Sequence, residues 1–150
     1  MQKEFENNLM DSFKNKCKEH HLKITPQRTA IYKELIKKET HPSADQIFSN
    51  VQAVIPNISF DTVYRTLMSF SKAGIINLVT GYGEPKRFDS NVNAHHHFRC
   101  IKCFNMTDFY SDACDKVEIP SKIKKQFKVL KKQMILEGIC NQCNNQLIGR

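Results

Sequence analysis

Apolar positions in the first half of the chain repeat at helical spacing. Phe5, Leu9, Phe13 and Cys17 stand four apart and predict one stripe of a helix over residues 4 to about 21. Thr25-Pro26 starts a second helix, with Thr25 as N-cap and Pro26 at the first helical position, where its missing N–H is no loss. Ala30, Ile31, Leu35 and Ile36 form its inward stripe, and it runs to about Lys38. His41-Pro42-Ser43 interrupts the period. Ser43 caps a third helix with Ala44, Ile47, Phe48 and Val51 inward, and Pro56-Asn57 ends it. Ser59 caps a fourth with Val63, Leu67 and Phe70 inward, closed by Gly74 just past its end. Beyond Gly74 the pattern turns extended: residues 75–80 and 86–89 flank Gly81-Tyr82-Gly83-Glu84-Pro85, which predicts a hairpin.

Three helices followed by a hairpin predict a winged helix, a DNA-binding arrangement whose last helix before the wing enters the major groove. Residues 60–73 are then the recognition helix. Its outward face carries Asp61, Thr62, Tyr64, Arg65 and Ser69. Thr62, Tyr64 and Arg65 can reach phosphates and base edges, and Lys86 and Arg87 on the wing are candidate backbone contacts. An ordinary amphipathic surface helix fits the same pattern. Residues 90–93, Ser-Asn-Val-Asn, read as a hinge. Beyond it, 98–101, 107–110 and 134–139 read as strands, with a short basic helix near 120–125. The chain is therefore α+β: a winged-helix domain over 1–89, a hinge over 90–93 and a small α+β domain over 94–150 that needs a metal to complete its core.

That metal has candidate ligands. Cys100/Cys103 and Cys140/Cys143 are two Cys-x2-Cys units, preceded by His95-His96-His97. Each unit alone could be a redox dithiol, a disulfide or a chance turn. Together they match a closed tetrahedral Zn2+ site, because each two-residue turn sets two sulfurs on one side of an ion that takes four soft ligands. The 36 residues between the units exceed the roughly 15–20 of a compact zinc ribbon, so the spacer must fold by itself. A thioredoxin-like enzyme needs a single such unit opening a helix after a strand in a βαβ unit, and the pattern predicts that setting for neither pair. Cys17 and Cys114 have no partner by spacing and read as buried structural thiols.

Composition adds limits. Of 150 residues 40% are hydrophobic and 25% charged, as in an ordinary globular protein. No apolar run approaches the roughly eighteen residues of a membrane span, and the acidic, mixed first ten residues do not read as a signal peptide. A cytoplasmic location is expected, where clustered thiols stay reduced and serve as metal ligands. The net charge of +8 suits a polyanion, but it is spread as +3 over residues 1–90 and +5 over 91–150. Four zinc-bound thiolates then lower the second half by two. Charge alone is a mild argument for nucleic acid.

Six segments, read together, carry a resemblance: ITPQRTAIY (24–32), HPSADQIF (41–48), ISFDTVYRTL (58–67), KRFD (86–89), HHHFRCIKC (95–103) and GICNQC (138–143). In order and spacing they resemble the ferric uptake regulator family of metal-dependent transcription factors. The resemblance implies a homodimeric repressor, not an enzyme, that binds a palindromic operator in double-stranded DNA when loaded with a regulatory metal. It also implies that the four-cysteine Zn2+ is structural. Carried over by position, the regulatory site is His41, Asp89, His95, His97 and Asp108. Three imidazoles and two carboxylates are a harder donor set than four cysteines, suited to Fe2+ or Mn2+ with a coordination position left open. His41 and Asp89 come from the first domain and the others from the second. An ion bound by all five would set the angle between domains, and with it the spacing of two recognition helices in a dimer.

The carboxylates bear on the signal. Aspartate at both 89 and 108 resembles the peroxide-responsive branch of the family, in which an oxidant formed from H2O2 at ferrous iron modifies a ligand histidine, by resemblance His41 or His95. Iron-responsive members commonly carry glutamate, and an iron- or zinc-homeostasis regulator is the alternative reading. A second regulatory site found in many relatives is incomplete here: His96 and Asp115 are available, but Ala94 and Lys132 stand where ligands are expected. Phe104 stands where the family usually has glycine. Two other classes, a thiol-disulfide enzyme and a zinc-stapled interaction module, are separated from this one by turnover without metal and by failure to select any DNA.

Overall fold

A computed structural model of the chain describes residues 2–37, 41–79 and 85–148, which form two compact units, Met1–Val92 and Asn93–Arg150. Lys38, Thr80 and the predicted turn Gly81-Tyr82-Gly83-Glu84 lie outside the described residues.

The first unit contains α1 (Gln2–Glu19), α2 (Pro26–Ile36), α3 (Ala44–Gln52), α4 (Phe60–Lys72) and two strands, β1 (Asn77–Val79) and β2 (Arg87–Asp89). The caps act as their chemistry requires. The Thr25 hydroxyl accepts from Arg28 N–H, and the Ser59 hydroxyl accepts from Thr62 N–H. Ser43 and Gln46 form a reciprocal capping box at α3. Gly74, just after α4, has φ +69°, a left-handed turn that glycine takes without steric cost. β1 and β2 pair antiparallel, Leu78 opposite Phe88.

The core gathers one stripe from each helix. Phe13 and Cys17 of α1, Ile31 and Leu35 of α2, Ile47 and Val51 of α3, and Val63, Leu67 and Phe70 of α4 are buried, with Phe88 from β2. Phe13 stacks on Tyr32 at 4.3 Å between centroids and meets Phe70 edge-on at 5.4 Å. Tyr32 was not on the predicted stripe, yet its ring is buried, and burial pushes its phenol up to about 12. Conversely Phe5, predicted inward, is 63% exposed, because the first turns of α1 have no neighbour to pack on within the described unit.

The second unit is built on a three-stranded sheet in the order β4-β3-β5: β3 (His96–Cys100), β4 (Met106–Phe109) and β5 (Ile135–Gly138). β3 is antiparallel to β4 and parallel to β5. The predicted strands lie where expected, with β3 beginning two residues earlier than its apolar run indicated. Three short helices complete the unit: α5 (Asp112–Asp115), α6 (Ser121–Gln126) and α7 (Asn141–Ile148). α5 and α7 were not predicted, since neither carries an apolar stripe of useful length.

Phe13→Ala is expected to destabilise the first unit by about 3–5 kcal/mol, whereas Phe5→Ala changes stability by less than about 0.5 kcal/mol. Urea unfolding of the two variants measures both.

Candidate metal centres

The cysteine cluster grows from the β3–β5 pairing. Cys100 ends β3 and lies opposite Gly138, the last residue of β5, so both knuckles open from one end of the sheet. Ile101 N–H donates to Gly138 C=O at 2.8 Å. A Cβ on Gly138 would lie 3.2 Å from the Phe98 ring, so a side chain there would press on that ring. The four Sγ atoms lie within 4.8 Å of one another, and Cys103 Sγ is 3.7 Å from Cys140 Sγ. Tetrahedral Zn–S bonds of about 2.3 Å place sulfurs about 3.8 Å apart, so the spacing fits Zn2+. All six cysteines are free thiols.

The electrostatics agree with a dication. Backbone N–H groups of Cys103 and Cys140 hold the Cys100 thiol down to about 6, the Cys140 N–H lying 3.4 Å from its sulfur. Burial and hydrogen bonding with the other three sulfurs push Cys143 up to about 12. Without metal, one sulfur takes the negative charge and another keeps its proton. A bound dication removes that conflict by favouring all four thiolates.

One sequence expectation needs correction. Cys140 follows β5 and Cys143 lies on α7, so the second pair does open a helix after a strand. No further strand follows among the described residues, and the first pair of sulfurs faces it, so the arrangement is a metal cage and not a βαβ redox motif. Cys17 is fully buried as expected. Cys114 is only half-buried and donates to Met134 Sδ at 3.4 Å.

Phe104 closes the first knuckle with φ +60°, its N–H donating to Cys100 C=O. This is the left-handed conformation that a glycine would adopt freely and that a side chain resists by about 1–2 kcal/mol. The ring is partly compensated by Arg99, whose guanidinium lies 5.8 Å from its centroid while also pairing with Glu137 at 2.5 Å.

The harder ligand set is held in two halves, one on each unit. On the first unit, Arg87 Nη1 donates to His41 C=O at 3.2 Å and Phe88 N–H to Pro42 C=O at 3.0 Å. The His41-Pro42-Ser43 segment is thereby added to the free edge of β2, and His41 Nε2 comes to 3.5 Å from Asp89 Oδ2. Asp89 Oδ1 accepts from Asn91 N–H, which fixes the carboxylate.

On the second unit, His97 stands directly opposite Asp108 across the β3–β4 ladder. His95 Nε2 and His97 Nε2 are 2.9 Å apart, and each is 3.3 Å from Asp108 Oδ1. Adjacent donors around an octahedral ion with bonds of about 2.1 Å lie about 3 Å apart, so the triangle is one face of such a shell. Asn93 C=O lies 2.6 Å from His95 Nδ1, and accepting a proton there leaves the Nε2 lone pair turned to the metal side. The Gln133 side-chain amide nitrogen, Nε2, meets His97 Nδ1.

Residues 19–137 match the sequence profile of the ferric uptake regulator family. The chain belongs to that family. The peroxide-responsive repressor PerR of Staphylococcus epidermidis is 36% identical over 125 residues, 83% of each chain. Among solved structures, the ferric uptake regulator of Helicobacter pylori, with three functional metal-binding sites, superposes with a TM-score of 0.74 at 22% identity, over 92% of this chain and 93% of that one. The peroxide stress regulator of Campylobacter jejuni superposes with a TM-score of 0.67 at 26% identity, over 84% and 95%. The α+β fold read from the pattern is the fold of this ferric uptake regulator family, and no described helix is long and apolar enough to cross a membrane.

Of the two residues left from the incomplete second site of the family, His96 points away from the His95–His97 triangle and pairs with Asp115 Oδ1 at 2.9 Å, while Met134 N–H donates to its Nδ1. Lys132 Nζ donates to the Asp115 and Val117 carbonyls. An ammonium thus stands beside the pair, a poor setting for a further cation.

The predicted DNA-facing residues are engaged to different degrees. Arg65 Nε pairs with Asp61 across one turn at 3.0 Å, with both side chains well exposed. Thr62 Oγ1 shares a hydrogen bond with Ser59 Oγ at 2.9 Å. Lys86 Nζ donates to Tyr64 Oη at 3.2 Å. Arg87 is half-buried, its guanidinium turned onto His41 C=O, so its visible work is to seat the backbone of a candidate ligand.

Stripping zinc with a chelator is expected to collapse the amide signals of residues 93–148 in two-dimensional NMR while those of the first unit stay dispersed. Phe104→Gly, by relieving the left-handed strain at the cost of the Arg99 contact, is expected to stabilise the zinc-loaded protein by about 0.5–1 kcal/mol in thermal unfolding.

Proposed function

We propose that this protein is a metal-dependent transcriptional repressor that responds to hydrogen peroxide by oxidation of one of its own ligand histidines. The observation that carries the reading is the triangle of His95 Nε2, His97 Nε2 and Asp108 Oδ1, three converging donors with the outer imidazole nitrogen of His95 already tied back. In this reading His41 and Asp89 complete the five-ligand regulatory site for Fe2+ or Mn2+, as the family resemblance implies, and Cys100, Cys103, Cys140 and Cys143 hold the structural Zn2+. Fe2+ held there would supply the redox chemistry that activates peroxide, with no net change in the iron. The chain's own residues orient the target: the Asn93 carbonyl holds the His95 ring, and the Arg87 guanidinium holds the backbone of His41. In net terms one imidazole C–H and one H2O2 become an oxygenated ring and one H2O, so the two-electron oxidant is the peroxide. A ring altered in this way is a weaker ligand, and the reaction runs once per site without turnover.

Release of the ion frees the two units from a common ligand shell and weakens the DNA-competent arrangement. The winged helix, with α4 as the reading helix and Lys86 at the base of the wing, supports binding to double-stranded DNA. β5 is an edge strand exposing Ile135 and Leu136, and Phe127, Val129, Leu130 and Ile139 are exposed around it. That apolar edge supports assembly of the second domain, residues 94–150, into a homodimer that presents two reading helices to a palindromic operator. The 36% identity to a peroxide-responsive repressor supports the peroxide signal, and aspartate at both 89 and 108 agrees with it.

Zinc-loaded protein supplied with Fe2+ and a low dose of H2O2 is expected to gain one oxygen on the peptide holding His41 or that holding His95, in step with loss of DNA binding. Mn2+-supplied protein should gain none. Intact histidines, with DNA binding still governed by metal, would assign an iron- or zinc-homeostasis regulator instead.

A further inference from the structure

A row of side chains runs from α3 across α4 to the base of the wing. Phe48 meets Phe60 edge-on at 5.7 Å, Phe60 stacks on Tyr64 at 6.1 Å, and the Lys86 ammonium lies 5.8 Å from the Tyr64 ring centroid. Lys86 Nζ also donates to Tyr64 Oη at 3.2 Å. The ammonium therefore sits at the hydroxyl end of the ring, bonded to Oη. Tyr64 and Lys86, with Ala44, Asp45, Phe60 and Pro85, line a cavity of ≈ 360 Å³. Tyr64 packs in part against the core, Phe60 stacks on its ring, and Lys86 holds its hydroxyl end beside the cavity. A lysine on a wing would ordinarily be read as a phosphate contact. Here the exposed ammonium is already bonded to the hydroxyl of Tyr64 on the reading helix.

We propose that Lys86 is a positioning residue: it straps the wing to α4 and fixes the Tyr64 ring, so that it governs discrimination between DNA sequences more than overall attraction to DNA. The proposal rests on the DNA-binding reading above. The two roles differ in what they predict. A phosphate contact contributes equally to every sequence and adds about 0.9 to the slope of log affinity against log salt. A residue that holds a base-reading side chain changes the ratio between right and wrong sequences and leaves that slope in place.

The test uses full-length protein loaded with Zn2+ and Mn2+, and a duplex that the wild type selects from a randomised pool. Affinities for that duplex and for its single-base-pair variants are measured over a range of salt concentrations. Lys86→Met and Tyr64→Phe are each expected to lower the preference for the selected duplex by about 3- to 10-fold, with the double variant no worse than either single one. Lys86→Arg should restore most of the preference, since a guanidinium can also donate to the Tyr64 hydroxyl. Uniform weakening on all duplexes with a slope reduced by about 0.9, or full additivity of the two substitutions, would overturn the proposal. In the free protein, Lys86→Met should shift the Tyr64 ring resonances and leave those of the other three tyrosines unchanged; an unmoved Tyr64 signal also overturns it. Failure of the wild type to select any duplex would instead sink the DNA-binding reading, with the ring resonances still reporting whether the strap exists.

Discussion

The double pairing of β3 is the constraint on which the second unit depends. This strand is hydrogen-bonded to β4 along one edge and to β5 along the other, so it can neither slip nor rotate without breaking both ladders. Its alternation then assigns chemistry by face. His97 lies on the side of Asp108, His96 on the side of Asp115, and Cys100 at the end against Gly138. A slip of one residue would exchange His96 and His97 and dissolve the donor triangle. The same register brings Cys140 to Cys100, so the Zn2+ cage and the sheet each hold the other in place.

On the first unit the equivalent constraint is the free edge of β2. The His41-Pro42-Ser43 segment lies along it through the Phe88–Pro42 hydrogen bond and the bridge between Ser43 and Arg87. His41 has φ +48°, outside the ordinary region for a residue with a side chain, and the Arg87 contact to its carbonyl helps hold it there. Local strain of this kind persists only where neighbours over-determine it. A strand that forms the wing therefore also presents Asp89 and anchors His41, which ties the DNA-binding element to the ligand pair by shared backbone and not by a distant relay.

Charge plays a smaller part than the net value suggests. Arg65 is paired with Asp61, Arg87 with a carbonyl, Arg99 with Glu137, and Lys132 with two carbonyls. Several of the cations that would make the chain a general polyanion binder are spent on internal geometry.

Much of this was legible in the sequence because it is written in short-range chemistry. Thr25-Pro26, Ser43 with Gln46, and Ser59 mark helix starts by hydrogen bonds within one turn, and the 3.6-residue stripes of α2 to α4 name most of the core. Cys-x2-Cys spacing, likewise, is set by the size of a metal ion. Pattern failed where burial depends on a partner far along the chain. Phe5 and Phe13 occupy equivalent positions in one stripe, and only Phe13 finds Tyr32 and Phe70. The β3–β4 register that sets Asp108 beside His97, the turning of Arg87 onto the His41 carbonyl, and the contact of Lys86 with Tyr64 were decided by tertiary structure. Each rests on contacts between segments that the local alternation of apolar and polar residues does not encode.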